Sequence, residues 1–159
     1  MVRLVLSIAA VLLGGVQATS LTGDSALVIP KAETEAQTAK VIAATTPTST
    51  DAGTAVLGSY GNLTLRLYVR RTSGGGEIHA HFDDLMIVQR GTATLVTGGT
   101  LANRKDLDNG ESRGSKVVGG VSRKLATGDM VIIPAGVAHQ TIIEPGSTYA
   151  YLVAKVREP

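Results

Sequence analysis

Four residues near the C-terminus, Gly128, Pro134, Gly136 and His139, leave the chain between them few conformations. Gly128 followed by Asp129 makes a tight turn, and the apolar run Met130–Ile133 that it launches has the length and β-branched content of a strand. Pro134-Ala135-Gly136 ends that strand with a second turn, and residues 137–143 resume an extended pattern with His139 near its start. A histidine held on a rigid strand beside a turn can be aimed into the mouth of a barrel.

The same strand-and-turn grammar runs through most of the chain. Strands are expected over residues 63–71, 77–81, 85–89, 92–97, 117–118, 121–125, 130–133, 138–143 and 149–156, several of them separated by glycine-rich turns. Many short strands of this kind predict an all-β barrel or double-sheet jelly roll. Residues 19–52 read differently. Pro30 precedes KAETEAQTAKVIAA, a segment of helix formers, and the Thr/Pro/Ser run at 45–50 ends it as a loop.

Between the strands lies a longer polar segment, residues 100–120, expected to form a lid or rim. Its DLDNGE has Asp106 and Asp108 before Gly110, like the opening of a calcium loop, but it lacks a third acidic ligand in place and the distal glutamate. Asn109-Gly110 is the residue pair of a tight hairpin turn, and that reading is preferred.

The chain begins with Arg3, an apolar segment from Leu4 to Gly14 and small residues ending at Ala18, the anatomy of a secretory signal peptide rather than of a membrane span. Residues 1–18 are therefore expected to be a signal peptide, 19–52 an N-terminal extension with a short helix and linker, and 53–159 the barrel domain of a secreted or periplasmic protein. With Arg3 removed the chain is close to neutral, its lysines and arginines are scattered, and its 4 Tyr and 1 Phe do not interleave with a basic stripe. Nucleic acid and membrane surfaces are accordingly excluded as expected partners. Cysteine is absent, which rules out disulfides, thiolate ligands and cysteine nucleophiles. Asn62-Leu63-Thr64 is a glycosylation sequon with meaning only in a eukaryotic source.

All 3 histidines fall in two short motifs, GGGEIHAHFDDLMIVQRG with His79 and His81, and GDMVIIPAGVAHQ with His139. The second, Gly-x5-Pro-x-Gly-x2-His, matches a signature of the cupin family, and the first resembles that family's other signature. The resemblance covers roughly residues 55–156 and implies a double-stranded β-helix, or jelly-roll barrel, with one divalent metal held by histidines and a carboxylate. It places Asp84 as the carboxylate, seven residues before Gly91, where the family usually has glutamate.

Two registers fit the first motif. In one, His79 and His81 are the histidine pair and the following loop is shortened; in the other, Glu77 replaces the first histidine, His79 is the second, and normal spacing to Asp84 is restored. Glu77, His79, His81 and Asp83 share one strand parity and are expected to face one side, which leaves both registers open and makes Asp83 a fallback ligand. Imidazoles with one carboxylate suit Mn, Fe, Ni, Cu or Zn and select none of them.

The signal-peptide anatomy and the resemblance together imply an exported cupin that binds a small organic molecule, either as a metal-dependent oxygenase, isomerase or lyase, or as a non-catalytic ligand-binding barrel that has lost its metal. The resemblance also implies a homodimer, which would protect sheet edges. No catalytic base is assigned. Arg66, Tyr68 and Arg70 share one strand parity, and Tyr149, Tyr151 and Lys155 another, so both sets are candidates to surround the ligand.

Overall fold

The computed structural model describes residues 26, 28–48 and 52–159. The expected signal peptide, residues 1–18, lies outside the described residues. Helix α1 spans Lys31–Ala44, with Pro30 as the preceding extended residue and Thr45 Oγ1 donating to Val41 O at 2.7 Å where the helix ends.

Thirteen strands follow: β1 (Gly53–Tyr60), β2 (Leu63–Arg70), β3 (Gly76–His79), β4 (Phe82–Arg90), β5 (Thr92–Thr97), β6 (Thr100–Ala102), β7 (Lys105–Asp106), β8 (Glu111–Gly114), β9 (Lys116–Val118), β10 (Val121–Ala126), β11 (Met130–Ile133), β12 (His139–Ile142) and β13 (Tyr149–Arg157). One sheet has the order β1-β2-β13-β4-β11, the other β10-β5-β12-β3-β8-β7, and β6 and β9 form a small two-stranded ribbon. Gly128 (φ 96°) and Gly136 (φ 77°) occupy left-handed conformations on either side of β11, so the turns read from the sequence depend on residues without a Cβ.

Met86 and Val88 of β4 and Tyr149, Tyr151 and Val153 of β13 pack with Ala93 and Leu95 of β5 and Leu125 of β10, so the main core lies between the two sheets. A second cluster lies on the outer face of the first sheet, where Leu67 and Val69 of β2 and Leu57 of β1 pack with Val41 of α1. The alternation in β2 is thus the reverse of a solvent-facing sheet. Leu67 and Val69 point out under the helix, while Arg66, Tyr68 and Arg70 point into the barrel. Helix α1 of the extension is therefore part of the packing. It covers apolar surface that the inward turn of β2's polar side chains pushes outward, and Arg71 Nη2 donates to Ile42 O at 3.2 Å near the helix end.

The segment expected as a lid or rim contributes β7 and β8 to the second sheet and β6 and β9 to the small ribbon, and its Asn109, Glu111 and Arg113 line the interior cavity. β7 and β8 form a hairpin around Asn109 (φ 62°) and Gly110 (φ 79°), as the Asn-Gly pair predicts, and β8 joins β3 in the second sheet. Asp106, read as a possible calcium ligand, instead accepts from Arg104 Nε and Ser112 Oγ, both at 2.7 Å.

Candidate metal centre

Glu77 and His79 lie two residues apart on β3, and β12 pairs antiparallel with it so that His139 stands opposite Glu77. One ligand atom from each of Glu77, His79 and His139 lies within 4.8 Å of the others, and the imidazoles are 6% and 5% exposed. The turn at 134–136 locks this arrangement. Gly136 N donates to His79 O at 2.9 Å, and Ala135 N donates to Asp83 Oδ1 at 2.8 Å, which fastens the second motif to the first.

Each imidazole is oriented through its Nδ1. His139 Nδ1 is 3.0 Å from Val137 O, and because a carbonyl oxygen only accepts, Nδ1 carries the proton. His79 Nδ1 lies 2.8 and 2.7 Å from the two oxygens of Glu111, which likewise accept. The Nε2 atoms are left to face the cavity, His139 Nε2 at 3.4 Å from Glu77 Oε1 and His79 Nε2 at 3.6 Å from Asp84 Oδ2. Histidines that bind metals through one nitrogen are generally held in this way through the other.

The electrostatics differ between the two. Burial pulls the His79 pKa down and the Lys155 charge pulls the same way, outweighing the opposing charges of Glu77 and Asp84. Burial also pulls His139 down, but the hydrogen bond and charge of Glu77 outweigh it and the net shift is upward. Burial pushes Glu77 up, yet the hydrogen bond to His139 and its charge, with further help from His79 and Arg113, bring it to about 2. Without a metal, Glu77 favours the protonated form of His139, in which Nε2 would donate to that carboxylate. Two imidazole Nε2 atoms and one carboxylate are a donor set for a first-row divalent metal, and the Nε2 proton of that form is the one a metal would displace.

Of the residues singled out in the sequence, the structure brings Glu77, His79 and His139 together and sets His81 apart. Strand β3 stops at His79, and Ala80-His81 form an exposed turn before β4, so the single parity expected across 77–83 does not hold. Asp83 serves the turn at Ala135. Asp84 is buried beside His79, but its oxygens lie 2.8 and 3.1 Å from Lys155 Nζ, so a cation of the protein already occupies it.

A cavity of about 380 Å³ opens over these groups, and Arg66, Tyr68, Arg70, Tyr151 and Lys155 line it. Tyr149 is fully buried in the core. Glu111 and Arg113 of β8 were missed in the sequence. Their signal is faint: two charged residues of like parity just after the Asn109-Gly110 turn, which β8 lays beside His79 and Glu77. Arg113 Nη1 is 2.8 Å from Glu111 and 3.5 Å from Glu77, tying the two carboxylates together.

No protein-family model and no curated protein matches the chain. Solved structures do match it. A Cupin 2 conserved barrel domain protein from Salinispora arenicola aligns over 84% of this chain and 90% of its own, with 16% identity and TM-score 0.50. A protein with a double-stranded β-helix domain from Klebsiella pneumoniae aligns over 74% and 86%, with 14% identity and TM-score 0.50. A recombinant oxalate oxidase in complex with glycolate aligns over 71% of this chain and only 55% of its own, with 15% identity and TM-score 0.52. At these identities the likeness is one of fold, and the chain spans little more than half the length of that oxidase. The two sheets, their core and the shared architecture together show that the chain has the double-stranded β-helix fold of these cupin-type structures.

Proposed function

We propose that the protein binds one divalent transition metal through Nε2 of His79, Nε2 of His139 and the carboxylate of Glu77, and presents a small organic molecule to that metal in the cavity. The observation that carries this reading is the convergence of the three donors within 4.8 Å, with both histidines fixed through Nδ1. Three protein ligands leave coordination positions open, and a metal so held supplies Lewis-acid or redox chemistry to a molecule bound beside it. The chain's own residues orient the imidazoles, keep His79 neutral by burial and neighbouring charge, and line the cavity wall.

A second reading has its own support. Lys155 sits on Asp84, the family's carboxylate position, so the barrel carries an internal cation where a fourth ligand would be needed. In that reading the protein binds its small molecule without metal or turnover.

Metal analysis of untagged protein, titrated with Mn, Fe, Ni, Cu and Zn, separates the two. The expected result is about one equivalent of metal, lost in the His79→Ala/His139→Ala double variant while the barrel stays folded. Full occupancy in that variant would overturn the site, and no uptake by the wild type would favour the metal-free barrel. Dioxygen uptake with the loaded protein then tests for an oxygenase. Export belongs to the same proposal, supported by the charged start, apolar run and small-residue boundary of residues 1–18. N-terminal sequencing of the exported protein should begin near Thr19, and a retained Met1 would contradict it.

A further inference from the structure

The cavity holds more positive charge than its carboxylates engage. Arg66, Arg70, Arg113 and Lys155 line it together with Glu77, Asp84 and Glu111. Lys155 is held on Asp84, and Arg113 on Glu111 and Glu77. Among the described residues Arg66 and Arg70 have no such carboxylate partner; Glu77 acts on Arg70 only at longer range, and the four cations lining the cavity exceed its three carboxylates by one charge. A divalent metal at the proposed site adds to that excess.

Phenols hold these two arginines in place without neutralising them. Arg70 Nε donates to Tyr151 Oη at 3.2 Å, and the Tyr151 ring stacks on Tyr68 with centroids 5.4 Å apart. Burial raises the pKa of the Tyr68 phenol and the adjacent Arg66 charge draws it back. The Arg70 guanidinium also lies against Gly74, where a Cβ would stand 2.8 Å from Nη1, so a side chain there would push it from its position. Guanidiniums kept partly out of water with no anionic partner cost free energy, and a bound anion would relieve that cost.

We propose that the molecule taken by this cavity is a compact organic carboxylate, held through Arg66 and Arg70 and directed at the Glu77/His79/His139 group. The second contact rests on the metal reading above; the arginine contacts do not. Carboxylate is favoured over phosphate because the intervening wall, Met86, Val153 and the Tyr68–Tyr151 stack, suits a carbon body. The volume of about 380 Å³ also suits a compact molecule.

The test is calorimetric titration of the full chain, with and without metal, using malonate and succinate, their neutral diamides, and inorganic phosphate. At least one dicarboxylate should bind, and its diamide should bind at least about tenfold more weakly. Arg66→Gln and Arg70→Gln should each weaken dicarboxylate binding by about tenfold or more, with Arg66→Lys recovering part of the loss because it restores charge but not the planar fork. Unchanged metal content and circular dichroism in these variants would exclude misfolding as the cause. The proposal is overturned if neither dicarboxylate binds, if the diamide binds as tightly, if phosphate binds more tightly, or if a folded Arg66→Gln/Arg70→Gln variant keeps wild-type affinity. A protein that takes up no metal but binds dicarboxylate through these arginines would refute the metal reading and leave this one standing.

Discussion

His79 Nδ1 lies 2.7 Å from Glu111 Oε2 although 32 residues separate them in the chain. The pairing of β3 with β8 sets His79 opposite Glu111, and the hydrogen bond commits the imidazole to the tautomer whose Nε2 carries the lone pair, in the group that His79 forms with Glu77 and His139. Glu111→Ala should therefore lower metal affinity by about 10–100-fold without removing a ligand. Competition titration against a chelator checks this, and wild-type affinity in the variant would show that the carboxylate does not orient the ring.

Glu77 and His81 give opposite outcomes. Glu77 reaches the cluster, whereas His81 stands exposed in the turn after β3. Glu77→Gln should lose most bound metal, while His81→Ala should keep about the wild-type content by elemental analysis. Loss of metal in His81→Ala alone would reinstate the short-loop register.

The pH dependence of the metal-free protein follows from the Glu77–His139 pair. Glu77 is lowered from 4.5 to about 2, so its stabilisation is complete above pH 4.5 and is lost as pH falls toward 2. His139 is raised above 6.5, so its stabilisation is complete below pH 6.5 and is lost as pH rises through the folded value. The pair is therefore strongest between pH 4.5 and 6.5. His79, lowered chiefly by burial, works the other way below pH 6.5, so the useful quantity is the difference between wild type and Glu77→Gln. Urea denaturation should show that difference at its largest, up to about 3 kcal/mol, within this window. A difference that grows steadily from about pH 6 to 9 would contradict the pairing.

Leu67 tests the packing outside the barrel. It is fully buried under α1 on the face of β2 opposite the cavity. Leu67→Ala should cost about 2–5 kcal/mol in urea unfolding, through lost burial and the cavity left behind, with metal stoichiometry unchanged. A cost below about 1 kcal/mol would mean that the helix does not seal that surface.

Local sequence determined a good deal of this protein. Turn residues at Gly128, Gly136 and Asn109-Gly110 announced their own backbone, because a left-handed conformation favours glycine and asparagine wherever it occurs. Strands β5 and β11 and helix α1 were legible for the same reason: period, propensity and punctuation act over a few residues. Strand parity also grouped Arg66, Tyr68 and Arg70, which share the inner face of β2. Parity could not say which face is inner, and here the apolar residues face out because a helix covers them. Nor could it foresee that β3 ends at His79, which turns His81 away. Glu111 beside His79, Arg113 beside Glu77 and Lys155 on Asp84 are contacts between segments far apart in the chain. Only sheet pairing and register decide such contacts, because a carboxylate at 2.7 Å and one at the surface are written with the same letter.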